Sequence, residues 1–224
     1  MMVFVPPARS ARRAIRRAVR GRPRRVRLDN DQRRAQLLGL AKAAFSDRAY
    51  DDVSIDDIAR EAKISKGLLY HYFPTKRDLY VAGLREIANE LVTAVTSIPA
   101  NLAPIDQARA GLDAYLDHIT RHARAFVSLM RGGIGSDPEV ADVVESVRGQ
   151  MFDTFLKDQP FAPLLQGNLR FLTAIRGWIG FVEHTTIDWC VNPRMTRVDL
   201  RELMVEILFA ILQAVTPPVF RTPT

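Results

Sequence analysis

Residues Ser54–Asp78 read SIDDIAREAKISKGLLYHYFPTKRD, and this stretch decides the fold. Ser54 suits a helix N-cap, where its hydroxyl accepts from a backbone N–H two or three positions on. Asp56 and Asp57 follow in the first turn, where the helix dipole favours negative charge. Ile58, Ala59 and Ala62 then share one apolar face, with Ala59 small enough for a close helix crossing. Lys63 and Ile64 form a turn, with Ile64 pointing back to the core, and Ser65 caps a second helix. Leu69 and Tyr72 mark its buried side, whereas Leu68 stands one position off that face. Pro74 ends it, because the residue before a proline is driven out of the helical region. Thr75 caps a third helix that opens with Lys76. The pattern is a helix, a tight turn and a short second helix.

The outward face of that second helix carries Ser65, Lys66, Gly67, Tyr70 and His71 near its N-terminus. In a helix-turn-helix this end enters the major groove. Lys66 can reach a guanine edge or a phosphate. Gly67 costs a helix about 1 kcal/mol against alanine, but lets the backbone approach DNA. Tyr70 offers a ring to a thymine methyl and a hydroxyl to a phosphate. The bland alternative is a capped helical hairpin with a solvated polar face. The coincidence of small residue, turn spacing, glycine and base argues against it.

The segment resembles the DNA-binding domain of the tetracycline-repressor (TetR) family. That family shows the pattern I-A-x-x-A-G-V-S-x-G-x-L/I-Y-x-H/Y-F-x-S/T-K-x-x-L. Ile58-Ala59, Ala62, Ile64-Ser65, Gly67, Leu69-Tyr70, Tyr72-Phe73, Thr75-Lys76 and Leu79 stand in register with it. The match covers roughly residues 33–80. The candidate DNA contacts are Arg33, Arg34, Ser54, Ser65, Lys66, Gly67, Tyr70, His71, Tyr72 and Lys76. Arg33 and Arg34, at the start of the first helix, either contact phosphates or lie on solvated surface. The resemblance puts Lys76 on a phosphate, the alternative being a surface lysine. One position departs: Lys63 stands where the family has glycine. A left-handed backbone there would cost a lysine roughly 1–2 kcal/mol.

The expected fold class is all-α: an N-terminal three-helix DNA-binding domain and a larger C-terminal helical ligand-binding and dimerisation domain. The expected boundaries are a flexible basic arm over 1–27, the DNA-binding domain over 28–80, the second domain over 81–216 and a tail over 217–224. No alternating Val/Ile/Thr run bounded by turns signals a strand. No apolar run approaches the roughly 18–20 residues of a membrane span. A single cysteine, Cys190, makes no internal disulfide, looks buried, and suits a reducing cytoplasm.

The net charge of +7 is concentrated at one end. Residues 1–27 hold ten arginines and no acid, leaving 22 Lys+Arg against 25 Asp+Glu elsewhere, a net of −3. Arg12, Arg13, Arg16, Arg17 and Arg20 fall at helical spacing. Such an arm can neutralise phosphates by counterion release or enter the minor groove, or lie on an anionic membrane. The bland alternatives are a dispensable arm and a start codon placed too early.

Past the arm, a helix is expected from Asp31 to about Asp47 with an apolar stripe of Leu37, Leu40, Ala41, Ala44 and Phe45. The helix opening at Lys76 carries Leu79, Leu84, Ile87, Leu91 and Val95, long enough to leave the DNA-binding head. After a break with two prolines, Ile105, Ala108, Leu112, Tyr115, Leu116 and Ile119 form the next stripe. A short helix holds Phe126, Val127 and Met130; residues 131–138, RGGIGSDP, read as a loop that ends at an Asp137 cap with Pro138 at the first position. Val140, Val143, Val144, Val147, Met151 and Phe155 then face a core, and 159–163 break the chain. Two further helices are expected over 164–190 and 197–215, with Gly177 and Gly180 on the first. The resemblance implies that these last two build a four-helix dimer bundle.

The resemblance also implies a small molecule bound among the helices of the second domain. Candidate contacts are Tyr115, Phe126, Met130, Met151, Phe152, Phe155, Trp178 and Phe181, with His118, His122, Glu183 and His184 as polar orienting groups. A methionine and aromatic stripe is more often core than cavity. The apolar bias favours a hydrophobic or amphipathic effector, such as a fatty-acyl compound. No zinc-binding helix motif or nucleophile elbow is present, and no metal or cofactor is expected. The resulting expectation is a cytoplasmic, nucleoid-associated homodimer that binds a palindromic operator in double-stranded DNA. It would act as a repressor released by a small effector, with activation or architectural DNA binding as the alternatives and an enzyme excluded.

Overall fold

The computed structural model describes residues 29–131, 133–156 and 167–215, apart from the side chains of 133, 135, 155 and 156. The expected arm over 1–27, the break at 159–163, residues 164–166 of the next helix and the tail over 217–224 lie outside them. Among the described residues there are nine α-helices and no strand. They are α1 Asn30–Asp47, α2 Ile55–Glu61, α3 Lys66–Tyr72, α4 Lys76–Thr96, α5 Pro104–Arg121, α6 Ala123–Arg131, α7 Pro138–Leu156, α8 Leu169–Val191 and α9 Arg197–Val215.

Local chemistry sets most of these boundaries. Asp29 Oδ1 accepts from Gln32 N at 2.8 Å, so α1 starts at Asn30, one residue before the expected Asp31. Ser54 Oγ accepts from Asp57 N at 3.4 Å and Ser65 Oγ from Leu68 N at 3.2 Å. Thr75 and Asp78 form a reciprocal capping box at the head of α4. Between α2 and α3 the chain turns at Lys63 with φ 57°. Ile64 N donates to Ala59 O and Lys63 N to Arg60 O, both at 3.0 Å. These two bonds make a Schellman motif, with lysine at the position glycine favours.

Three expectations change. The segment Gly133–Ser136 winds into a 3₁₀ turn instead of an irregular loop, placing Asp137 to cap α7. The helix expected from 164 begins at Leu169, because Gly167 adopts φ +84° and Asn168 Oδ1 accepts from Phe171 N at 3.1 Å. Ile105 is exposed in the first turn of α5, and the buried stripe of that helix starts at Leu112.

The buried residues form three clusters. The first joins Leu37, Ala41 and Phe45 of α1 to Ile58, Leu69 and Leu79, and takes in Val140 and Val143 from α7. The second gathers Leu91, Leu116, Ile119, Val182 and Met204 from α4, α5, α8 and α9. The third holds Phe171, Ile175, Leu208 and Val215 of α8 and α9. Helix α4 contributes to the first two clusters, so its two ends are anchored in different packing environments.

Candidate nucleic-acid interface and internal cavity

Helix α3 buries Leu69 and leaves Ser65, Lys66, Gly67 and His71 exposed. Tyr70 is half-buried, its ring partly packed on the first cluster. A Cβ added at Gly67 would meet nothing within 4 Å, so no intramolecular contact demands glycine there. Lys66 is held across the turn: its Nζ lies 2.9 Å from Asp56 Oδ2, and that carboxylate raises its pKa. Leu68, one of the few exposed large apolar residues, is 40% exposed on the same helix.

The other candidate DNA contacts are distributed around this helix. Ser54 is half-buried, with its oxygen used as the α2 cap. Tyr72 is half-buried, with its ring edge-on to His71 at 5.5 Å. Arg34 stacks its guanidinium over the Phe73 ring at 5.1 Å. Arg33 is half-buried in the first turn of α1. Lys76 Nζ donates to Asp51 O at 3.3 Å and sits 4.6 Å above the Tyr50 ring. Tyr50 packs edge-on to Tyr80 at 5.0 Å, and Tyr80 in turn packs edge-on to Phe45 at the same distance.

A cavity of about 390 Å³ runs between α1, α4, α5, α6, α7, α8 and α9. Its volume falls within the range of small-molecule sites. Nine of the twelve candidates for the ligand site line it: Tyr115, His118, His122, Phe126, Met130, Met151, Phe152, Trp178 and Glu183. Phe181 does not; it packs on the second cluster, one helical step away from Trp178. The Phe155 side chain lies outside the described residues. Of the polar candidates, His122 and Glu183 line the cavity and His184 is exposed on α8, away from it. Cys190, expected buried, is half-buried.

Sequence reasoning missed the wall supplied by the DNA-binding end of the chain. Phe45, Tyr80, Leu84 and Ile87 all face the cavity. Their helical spacing identifies them as buried, but periodicity cannot tell a filled core from one with a hole.

Among the described residues, the charges that line the cavity balance. Its charged lining residues are Arg148 and Glu183, joined by two bonds of 2.8 and 2.6 Å. His118 is 2% exposed, and burial, followed by the neighbouring His122, pushes its pKa down to about 4. His122 is lowered for the same first reason, burial. Burial likewise holds the Tyr115 phenol well above its ordinary value.

The outer surfaces of α8 and α9 differ from this interior. Gly177 and Gly180 are exposed, and a Cβ at either would meet nothing within 4 Å. Leu169, Val191 and Val198 are exposed large apolar residues on the same two helices. Among the described residues no group of three His, Cys, Asp or Glu is placed to hold a metal ion. No helix among them is long and apolar enough to cross a membrane.

Comparison with known proteins agrees with this architecture. Residues 37–83 match the family described as bacterial regulatory proteins, tetR family, and residues 104–211 a tetracyclin repressor-like C-terminal domain. The chain is 32% identical over 152 residues to the HTH-type transcriptional activator FasR of Mycolicibacterium smegmatis, spanning 66% of this chain and 69% of FasR. It is 29% identical over 127 residues to the HTH-type transcriptional regulator EthR of Mycobacterium tuberculosis, spanning 55% of this chain and 58% of EthR. A crystal structure of a tetR-family regulator from Streptomyces coelicolor superposes with a TM-score of 0.74 at 30% identity, over 84% of this chain and 83% of that one. The chain therefore belongs to the TetR family of helix-turn-helix transcriptional regulators and is not an enzyme.

Proposed function

We propose that this chain is a homodimeric regulator that binds a palindromic operator through α3 and is released from it by an apolar small molecule held in the cavity. The observation that carries this reading is the placement of α7. One helix lines the cavity through Val143, Val144, Val147, Met151 and Phe152, and its first turn is ion-paired to Arg77, five residues past the end of α3. An occupant that shifts α7 therefore acts on the helix that follows the recognition helix directly. The dimer reading is supported by the exposed glycine and apolar face of α8 and α9. Two recognition helices would then read half-sites about 34–36 Å apart, and the effector would favour a separation that no longer fits them.

In this reading Lys66 and Tyr70 touch bases and phosphates, Gly67 admits the backbone to the groove, and Ser65, His71, Lys76, Arg33 and Arg34 flank them. Ser54 and Tyr72 act by shaping the helix-turn-helix. The ten arginines of residues 1–27 add phosphate contacts. The protein would work on the bacterial nucleoid in the cytoplasm. Activation is the second reading, favoured by the similarity to FasR, a protein named as an activator.

The test is fluorescence anisotropy of the protein against DNA from immediately upstream of its own gene, beside a scrambled duplex. Expected are preference for the upstream DNA with two protomers per site, and losses of more than about 1 kcal/mol for Tyr70→Ala or Lys66→Ala in folded protein. Unchanged affinity in both variants would sink the assignment of α3. Deleting residues 1–27 should reduce the salt slope of binding.

A further inference from the structure

The geometry points to an effector that enters the cavity as an uncharged amphiphile, with an apolar body and a hydroxyl or carbonyl head, and not as a free carboxylate. This rests on the reading of the cavity as the effector site.

Arg148 is engaged by Glu183, and its Nη1 also bonds Glu145, so among the described residues no free cation lines the cavity. Trp178 Nε1 donates to the Met204 carbonyl at 3.0 Å. Thr154 Oγ1 donates to the Gln150 carbonyl at 2.8 Å, and Thr96 Oγ1 to that of Thr93 at 3.3 Å. Gln107 Nε2 is shared between the carbonyls of Ala100 and Leu102. These groups satisfy themselves within the chain.

Three lining residues do not. Tyr115 Oη, His118 Nε2 and His122 Nδ1 are buried, and none has a hydrogen-bond partner. Thr186 lies beside the Tyr115 phenol; its hydroxyl donates to the Val182 carbonyl at 2.7 Å and keeps a lone pair that the phenol approaches without closing a well-formed hydrogen bond. The two imidazoles meet edge-to-face at 4.9 Å on the last turn of α5 and its cap. A buried polar atom without a partner is disfavoured in a folded chain, and a ligand group that supplies one gains what water would otherwise have supplied. The three atoms are buried within the wall, so a head group reaches them only where these side chains rearrange.

The charge of that head follows from the surroundings. Both imidazoles are neutral at neutral pH, and the nearby Lys42 and Glu90 form an ion pair with each other. A carboxylate placed here would be buried without a counter-charge, which is strongly unfavourable. A hydroxyl accepts from one unpaired donor and donates to an unpaired acceptor; an ester or ketone oxygen accepts from the Tyr115 hydroxyl. Neither brings a charge into the cavity.

The test uses the full-length protein and three probes of equal chain length: n-decanol, methyl decanoate and decanoate at neutral pH. Binding is read by thermal shift and by the fluorescence of Trp178, which lines the cavity. Decanol and the ester should bind at least about tenfold more tightly than the acid, a difference of about 1.4 kcal/mol. Tyr115→Phe, which removes only the hydroxyl, should weaken the ester about fivefold. His118→Leu should weaken decanol by a similar factor, with helicity retained by circular dichroism. Decanoate binding as tightly as decanol without proton uptake overturns the uncharged head while leaving the cavity as an effector site. Full affinity of both probes for Tyr115→Phe and His118→Leu overturns it too. No binding of any probe overturns the effector reading of the cavity and this inference with it, whereas operator binding by α3 stands or falls in the anisotropy experiment.

Discussion

Arg77 and Asp137 form a two-pronged ion pair: Nε and Nη2 donate to the two carboxylate oxygens, each at 2.6 Å. Arg77 Nη1 also reaches Glu139 at 2.8 Å, and Arg85 holds the other oxygen of Glu139 at 2.7 Å. The Arg77 guanidinium pulls the Asp137 carboxyl down to about 2, so the pair is charged throughout the neutral range. Asp137 meanwhile caps α7 through the amides of Glu139 and Val140. One carboxylate thus starts the helix that lines the cavity and ties it to the helix that leaves the recognition helix.

Arg77→Met should loosen this tie without unfolding the protein. Amide exchange at Glu139 and Val140 and in the first turn of α4 is expected to quicken by about fivefold or more. Effector-induced operator release should weaken, since the two ends would move more independently. Exchange unchanged in both helices would show that packing alone holds α7 against α4.

Lys63→Gly should stabilise the protein. The lysine sits at φ 57°, where an L side chain is disfavoured. Relief of up to about 1 kcal/mol is expected, reduced by the greater freedom of glycine in the unfolded chain. The melting temperature should rise by a few degrees, roughly 2–4 °C per kcal/mol at this size. A calorimetric scan showing no rise would mean that the Schellman bonds already relieve the strain.

His118 makes stability depend on pH in a defined window. Its folded pKa is lowered from 6.5 to about 4, first by burial and then by His122, with Arg121 and Lys42 lowering it further and Glu90 opposing. Between these values the unfolded chain takes up a proton that the folded chain refuses. Stability is therefore full above about 6.5 and falls as pH drops towards about 4, by roughly 1–3 kcal/mol. His118→Gln should flatten that part of a chemical-denaturation profile measured against pH. An equal slope in the variant would place the proton uptake elsewhere.

Gly180→Glu should produce a folded monomer. The position is exposed on α8, a side chain there meets nothing within 4 Å of its own chain, and glutamate favours helix over glycine. Light scattering should report half the wild-type mass, and operator affinity should fall by more than about tenfold as paired half-site reading is lost. A dimer of undiminished stability would move the interface off this face.

The motif around α2 and α3 was legible because its signals are local. A cap is a serine or threonine accepting from an amide three residues on, and the structure finds these at Ser54, Ser65 and Thr75. The left-handed turn was legible at Lys63 because a single residue type stood where glycine was expected. The start of α8 was less so, since the left-handed turn at Gly167 and the Asn168 cap set it at Leu169.

The sequence by itself determined most of the helices, their buried stripes and the exposed face of α3, because each depends on spacing within one element. Tertiary structure alone decided which buried faces enclose a cavity and which fill a core. Trp178 lines the cavity, while Phe181, three residues on, packs away from it. It also decided that Lys66 pairs with Asp56, that Arg77 reaches Asp137, and that Tyr115 Oη, His118 Nε2 and His122 Nδ1 are buried without a well-formed hydrogen bond. Those facts depend on distances between elements far apart in the chain, and residue spacing within one helix carries no information about them.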